Sequence, residues 1–404
     1  MAPVQGHCTE RFDPLRQRFA SLLASGDDLG ASMALTIDGE FVVDLWGGFV
    51  DEARTQAWQR DTITHVWSTT KTVTNLAALW LASRGELDLD APVSRYWPEF
   101  AANGKSGVLV RHVLSHTSGV PGWAEPMCTE DLYDWERSAA LLAAQSPWWA
   151  PGSASGYQAM THGFLVGELI RRVGGRKTGA FVAEHLAGPL GADFHIGLDP
   201  SQFDRVARVV PPPPLPLDFS QMPADLPMMR VFTNPGPDAS ASWTPAWRQA
   251  DLGALNGHGH ARSVAQLMSI VACGGSPGGR SWLSPAVAAR IFETQADGID
   301  AVLGMPMTMG LGYGLPNATL VPYLPAGRLA YWGGWGGSLV VADADRRMCF
   351  AYMMNKMAPG LVGGPNVASL AAALYEIVGE QTRPAVQSRA TTPNAPAASV
   401  AKGS

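Results

Sequence analysis

Strand patterns stand at both ends of this 404-residue chain with a long helical stretch between them, and that placement limits the fold more than any other feature. Residues 31–47 (ASMALTIDGEFVVDLWG) alternate apolar and polar side chains around Asp38-Gly39, which predicts a β-hairpin. Far downstream, residues 310–315, 329–332, 338–343 and 348–354 read as further strands. Helical patterns cover 12–25, the stretch after Ser68, 109–115 and most of 131–195, the last with breaks at Pro147, Pro151-Gly152 and Gly174-Gly175. They resume at 263–273 and 285–293 and close the chain at about 367–378. One sheet built from the two termini, with helices packed on it, is therefore the expected α+β arrangement.

Between 199 and 256 periodicity fades and four prolines run together (Pro211 to Pro214), so this segment is expected to wrap the surface as irregular loops near the mouth of any site, where it could carry specificity. The last residues, 381–404, are rich in Pro, Ala, Ser and Thr and read as a disordered tail. No internal repeat is present.

Composition excludes several classes. Apolar residues make up 46% of the chain and charged ones 16%, the formal charge is −6, and no Lys/Arg block offers the basic face that nucleic acid requires. No run reaches the roughly 18 apolar residues of a membrane span, and the N-terminus lacks a stretch of signal-peptide character. Cys8, Cys128, Cys273 and Cys349 are scattered without a metal-like grouping, which suits reduced thiols in a cytoplasmic protein.

Ser68-Thr69-Thr70-Lys71 lies where a short apolar run, His65-Val66-Trp67, gives way to the first long helical pattern. A serine hydroxyl is a poor nucleophile until a neighbour takes its proton. Residues three apart on a helix share a face, so Ser68 and Lys71 can meet there. The following segment, 72–81 (TVTNLAALWL), is apolar almost all round and predicts a buried helix ending near Gly85, in which desolvation disfavours the charged lysine and lets it act as a base. Taken alone, S-x-x-K is more simply a helix cap followed by a snorkelling lysine.

Three further features bear on that choice. Tyr157, after Pro151-Gly152 and at the opening of an apolar helix, suits a proton relay beside a lysine, or simply a core tyrosine. Tyr331-Trp332-Gly333-Gly334-Trp335-Gly336-Gly337-Ser338 sets four glycines between strand-like runs, where bare amides can line an anion site. The backbone N–H groups of Ser68 and Trp335 are the candidate oxyanion hole, and a glycine-rich turn is the plain alternative. Leu114-Ser115-His116-Thr117-Ser118-Gly119 is the third feature, with His116 expected to bond within its own turn.

In this order and spacing, S-x-x-K, L-S-H-T-S-G, a tyrosine after Pro-Gly and a late W-G-G resemble the serine β-lactamase-like superfamily, and specifically the family VIII carboxylesterases related to class C β-lactamases, over about residues 12–380. The resemblance implies a β-lactamase/DD-peptidase-like fold. Its central antiparallel sheet is flanked by helices in an α/β lobe (about 12–90 and 260–380), beside an all-helical lobe (about 91–200). It further implies that Ser68 is acylated, Lys71 is its base, Tyr157 shuttles the proton, and Trp332, Gly333, Gly334 and Trp335 line the substrate. No metal or organic cofactor is implied, and the expected partner is a small ester. Two departures from the lactamase pattern turn the expectation toward neutral or apolar esters. Ala159 stands where lactamases carry an asparagine that binds the substrate amide, and Trp332 replaces a lysine that attracts the β-lactam carboxylate. An acyltransferase of the same fold, a weak β-lactamase and a non-catalytic binding module are the competing expectations.

Three other motifs are decoys. Lys177-Thr178-Gly179 lies between two helical patterns rather than on a late strand, and Gly274 to Gly278 fits G-x-S-x-G without the strand and helix that a nucleophile elbow needs. The pairs His112/His116 and His258/His260 lack the third ligand of a zinc site.

Overall fold

A computed structural model of the chain describes residues 3–213 and 222–379; the fourth proline of the 211–214 run and the 381–404 tail lie outside the described residues. Strands β1 (Gln5–Cys8), β2 (Gly30–Ile37) and β3 (Glu40–Gly48) form one side of a six-stranded antiparallel sheet. β10 (Leu329–Gly333), β11 (Leu339–Asp343) and β12 (Met348–Met354) form the other, in the order β1-β3-β2-β12-β11-β10. The two ends of the chain meet at β2 and β12, where Ala34 pairs with Ala351. Both faces of these central strands are covered, because successive side chains point to opposite sides. Ser32 and Thr36 bond Ala261 N and Ser269 Oγ of the helix Ala261–Ala272, while Tyr352 reaches Asp28, which also binds Asn366 of the helix Pro365–Gly379.

Helix α1 (Asp13–Ser25) lies beside that C-terminal helix, and α2 (Thr70–Ser83) runs through the centre of the molecule with eleven of its residues buried. Gly85, at φ 75°, follows its end, as the sequence predicts. Helices α5 (Thr161–Gly174) and α6 (Thr178–Val182) pack on α2, and α3 (Val110–Leu114) and α4 (Trp135–Ala144) pack on α5.

Several expectations need correction. Tyr157 does not open a helix: the interruption expected at Pro147 and Pro151-Gly152 extends as an irregular stretch to residue 160, and α5 begins at Thr161. Residues 310–315 are not a strand. Gly312, at φ 89°, brings the backbone against Asn75 of α2, whose Nδ2 donates to Gly312 O at 2.6 Å, and that close approach leaves only Gly314 to pair, as an isolated bridge with Tyr331 of β10. The pairing sits just upstream, in a hairpin of β8 (Ala296–Ile299) and β9 (Pro306–Met309). A second, four-stranded sheet made of β4 (Ile63–His65), β5 (Phe194–Ile196), β6 (Val206–Ala207) and β7 (Gly257–Gly259) was not foreseen, since strands of two or three residues leave no readable alternation. The 199–256 segment holds short helices at Pro227–Phe232 and Pro245–Gln249 where only loops were expected. No helix among the described residues is long and apolar enough to cross a membrane.

Candidate active site

Ser68 sits in a 3-10 turn, Trp67–Thr69, which connects β4 to α2. The i to i+3 relation to Lys71 survives the change of helix type, and Lys71 Nζ stands 2.9 Å from Ser68 Oγ. Trp67, directly before Ser68, is in the left-handed region at φ 49°, a conformation that costs a tryptophan about 1 kcal/mol or more. Its surroundings hold it there. From β7, Gly257 O accepts from Val66 N at 2.9 Å and Gly257 N donates to Thr70 Oγ1 at 2.8 Å. From the start of β11, Ser338 Oγ donates to Val66 O at 3.0 Å and meets Thr69 Oγ1 at 3.0 Å. The turn is thus clamped between the two sheets.

Lys71 is 1% exposed and no carboxylate pairs with it among the described residues. Burial therefore pushes its amine well below the ordinary lysine range. Besides Ser68 Oγ, Nζ meets two acceptors: Ala159 O at 2.7 Å and Ala254 O at 3.0 Å. A neutral amine has two hydrogens and one lone pair. Carbonyls can only accept, so they take the two hydrogens and leave the lone pair facing the Ser68 hydroxyl.

Tyr157 brings its hydroxyl to 2.8 Å from Ser68 Oγ, and Lys71 Nζ lies 5.0 Å from the centre of its ring. Burial, with smaller effects of neighbouring groups, raises the phenol to about 12. The same burial therefore favours the uncharged form of both partners: a lysine able to accept a proton and a tyrosine able to give one. A tight turn, in which Ala159 N donates to Tyr157 O at 3.0 Å, swings the Ala159 carbonyl toward Lys71.

Contrary to the expectation from sequence, the His116 side chain does not bond within its own turn. At φ 61° it aims its ring at the Tyr157 segment, 5.2 Å from the phenol ring, and its Nδ1 accepts from Gln158 N at 3.2 Å. The Gln158 side chain donates to Val113 O at 2.8 Å, and His162, beside it at 3.2 Å, reaches Asn75 Oδ1 at 2.9 Å. Burial lowers both histidines well below the usual imidazole range, so this network is uncharged.

The glycine-rich segment leaves the end of β10 and passes directly over the Ser68 turn. Trp332 is buried, its ring 5.4 Å from that of Tyr157, and Trp335 is half-buried, 5.0 Å from Trp67. Gly334 N and Gly336 N are bonded to Ser338 O and Gly360 O, whereas Trp335 N has no acceptor among the described residues. A Cβ at Gly334 would stand 2.3 Å from Val66 O and 2.4 Å from Ser338 Oγ, so only glycine allows this approach. Gly334→Ala should lower the melting temperature by about 3 °C and slow labelling of Ser68 by a serine-reactive phosphonate roughly tenfold. Gly107→Ala, with open space around the new methyl, should do neither. Equal labelling rates for the two variants would rule out the close approach as a requirement of the site.

The structure thus brings Ser68, Lys71, Tyr157 and the 332–335 segment into one cluster. Lys177-Thr178-Gly179 stands at the start of α6, and Gly274 to Gly278 follows the helix Ala261–Ala272 as a turn, so neither decoy takes part. Sequence reasoning missed the Ala159 and Ala254 carbonyls, because any residue supplies a carbonyl. Asn75 was findable, since 68, 71 and 75 share one helical face.

A family model described as Beta-lactamase matches residues 15–373. The chain is 31% identical over 370 residues to Esterase/beta-lactamase LipL of Mycobacterium tuberculosis, an alignment that covers 89% of this chain and 84% of that protein. Among solved structures, a family VIII carboxylesterase superposes with a TM-score of 0.86 at 37% identity, covering 93% of this chain and 100% of the other. A penicillin-binding protein homolog from Caulobacter crescentus gives a TM-score of 0.86 at 36% identity, with the same coverage. With the family matched across most of its length and the fold shared with these structures, the chain belongs to the Beta-lactamase family and is a serine hydrolase.

Proposed function

We propose that the enzyme is a carboxylesterase for short-chain or apolar esters, working through an acyl-enzyme on Ser68. The observation that carries this reading is the hydrogen-bonding of Lys71: two carbonyls occupy its hydrogens and its lone pair is left to Ser68 Oγ. Ser68 Oγ attacks the ester carbonyl while its proton passes to Lys71. The carbonyl oxygen, now an oxyanion, takes hydrogen bonds from Ser68 N and Trp335 N. As the intermediate collapses, the C–O bond to the alcohol breaks and the alkoxide takes the Tyr157 hydroxyl proton, which the Lys71 ammonium restores. Water then enters, gives one proton to the same pair and bonds to the acyl carbon; the bond from that carbon to Ser68 Oγ breaks, Oγ takes the proton back, and the acid leaves.

The side chains around this cluster support an uncharged substrate. Buried Trp332 occupies the position where lactamases present a lysine, and the histidines near the phenol are uncharged. A β-lactam carboxylate would lose its water there without gaining a cation. All four cysteines are free, which supports a reducing, cytoplasmic setting.

Intact-mass analysis after brief incubation with p-nitrophenyl acetate, p-nitrophenyl butyrate and a penicillin tests the assignment. An acyl adduct on the Ser68 peptide from both esters, with little or none from the penicillin, is the expected result. Preferential acylation by the penicillin, or an adduct on any other residue, would overturn it.

A further inference from the structure

Tyr157 has to hold its hydroxyl on Ser68 Oγ, yet it sits in the irregular stretch between α4 and α5, where no helix or strand fixes its backbone. Two backbone contacts help: Gly156 N donates to His116 O at 2.9 Å, and Tyr157 O accepts from Ala159 N. The third contact comes from a residue 143 positions away. Asp300, in the loop between β8 and β9, accepts the Tyr157 N–H on Oδ1 at 3.1 Å. The same loop donates Ala301 N to Ser155 O at 2.8 Å.

Asp300 is an unusual carboxylate. It is fully buried, no cation pairs with it among the described residues, and its Oδ2 has no hydrogen-bond partner. Oδ1 also accepts from Val302 N at 3.0 Å and Leu303 N at 2.9 Å, which caps its own loop. Oδ1 thus holds three N–H groups at once, two from its own loop and one from the Tyr157 segment.

We propose that Asp300 is a positioning residue for the acylation step: its carboxylate tethers the Tyr157 backbone so that the phenol reaches Ser68 and faces the departing alcohol oxygen. This rests on the proton-donating role given to Tyr157 above. The charge acts in the same direction as the tether. The groups facing the phenol are Lys71 and Ser68 from the Ser68 turn and α2, His116 from the turn after α3, Trp332 from β10 and Asp300 from the β8–β9 loop. Burial keeps the proton on the phenol, hydrogen bonds with Ser68 and Trp332 oppose it, and Asp300 adds a smaller influence in the direction of burial.

The test uses leaving groups of different basicity. An ethyl ester expels a strongly basic alkoxide that must be protonated as it leaves, whereas p-nitrophenolate departs without a proton. Turnover of ethyl butyrate and p-nitrophenyl butyrate is compared for wild type, Tyr157→Phe and Asp300→Ala, which removes the acceptor of the Tyr157 N–H, each pair of rates taken on one preparation so that any unfolded fraction cancels from the ratio. Tyr157→Phe should lower kcat for the ethyl ester by roughly 10²-fold more than for the p-nitrophenyl ester. Asp300→Ala should show the same selectivity at about tenfold, with KM little changed. If Tyr157→Phe discriminates and Asp300→Ala slows both esters equally or neither, Asp300 is only a loop cap and the proposal is wrong. If Tyr157→Phe itself shows no selectivity, the proton-donor role fails and takes the positioning role with it.

Discussion

Ser68→Ala should reduce ester turnover by roughly 10⁵-fold or more, with no acyl adduct at any substrate concentration. The size of the loss follows from what remains. Lys71, Tyr157 and the Trp335 amide stay in place, but without Oγ no covalent intermediate forms, and what survives is the weak effect of binding an ester beside polarising groups. The variant should nonetheless fold. Lys71 keeps both carbonyl acceptors, Tyr157 loses only its hydrogen bond to Oγ, and the turn is held by Val66, Thr69 and Thr70 rather than by Ser68. The stability change should stay within about 1 kcal/mol. Denaturant melts run beside the kinetics separate the two effects: a Ser68→Ala protein that is as stable as wild type and still turns over p-nitrophenyl butyrate at a hundredth of the rate would remove Ser68 from the chemistry.

What could be read from sequence was whatever repeats along the chain. The hairpin at 31–47 and the strands at 329–332, 338–343 and 348–354 fall within a residue or so of β2, β3, β10, β11 and β12, because each alternates or runs apolar long enough to declare itself. Ser68 and Lys71 were legible for a similar reason: their relation is local, three residues on one helical face. The rest of the site is made by contacts distant in sequence. Tyr157 carries a side chain that suggests chemistry, yet nothing near it announces that its segment is irregular, since the restraints are His116 O on one side and Asp300 on the other. The carbonyls of Ala159 and Ala254 have no signature at all. Residues 310–315 misled because glycines spaced by two mimic strand alternation, while here they allow the backbone to press against Asn75.

Lys71→Arg should be inactive at every pH at which the protein stays folded, with ester turnover down by roughly 10³-fold. Arginine keeps a cation three residues from Ser68, but it does not give up its proton below about pH 12, so the charge is preserved while the base is lost. In the wild type, protonated Lys71 is the inactive form, and kcat/KM for a neutral ester should rise with pH as the ammonium deprotonates. Burial places that rise well below 10.5, the ordinary lysine value. The phenol, held at about 12, should bring no decline in the neutral or mildly alkaline range. Stability carries the same signature. Between the depressed folded-state pKa and 10.5 the unfolded chain binds a proton at this lysine that the native state does not, so stability rises with pH across that window; below it both states are protonated and the contribution is flat. Lys71→Met removes the titrating group and should flatten the curve over the same window. Activity above a tenth of wild type in Lys71→Arg, or a stability profile of Lys71→Met that parallels the wild type, would mean that Lys71 is a structural cation and that the proton of Ser68 goes elsewhere.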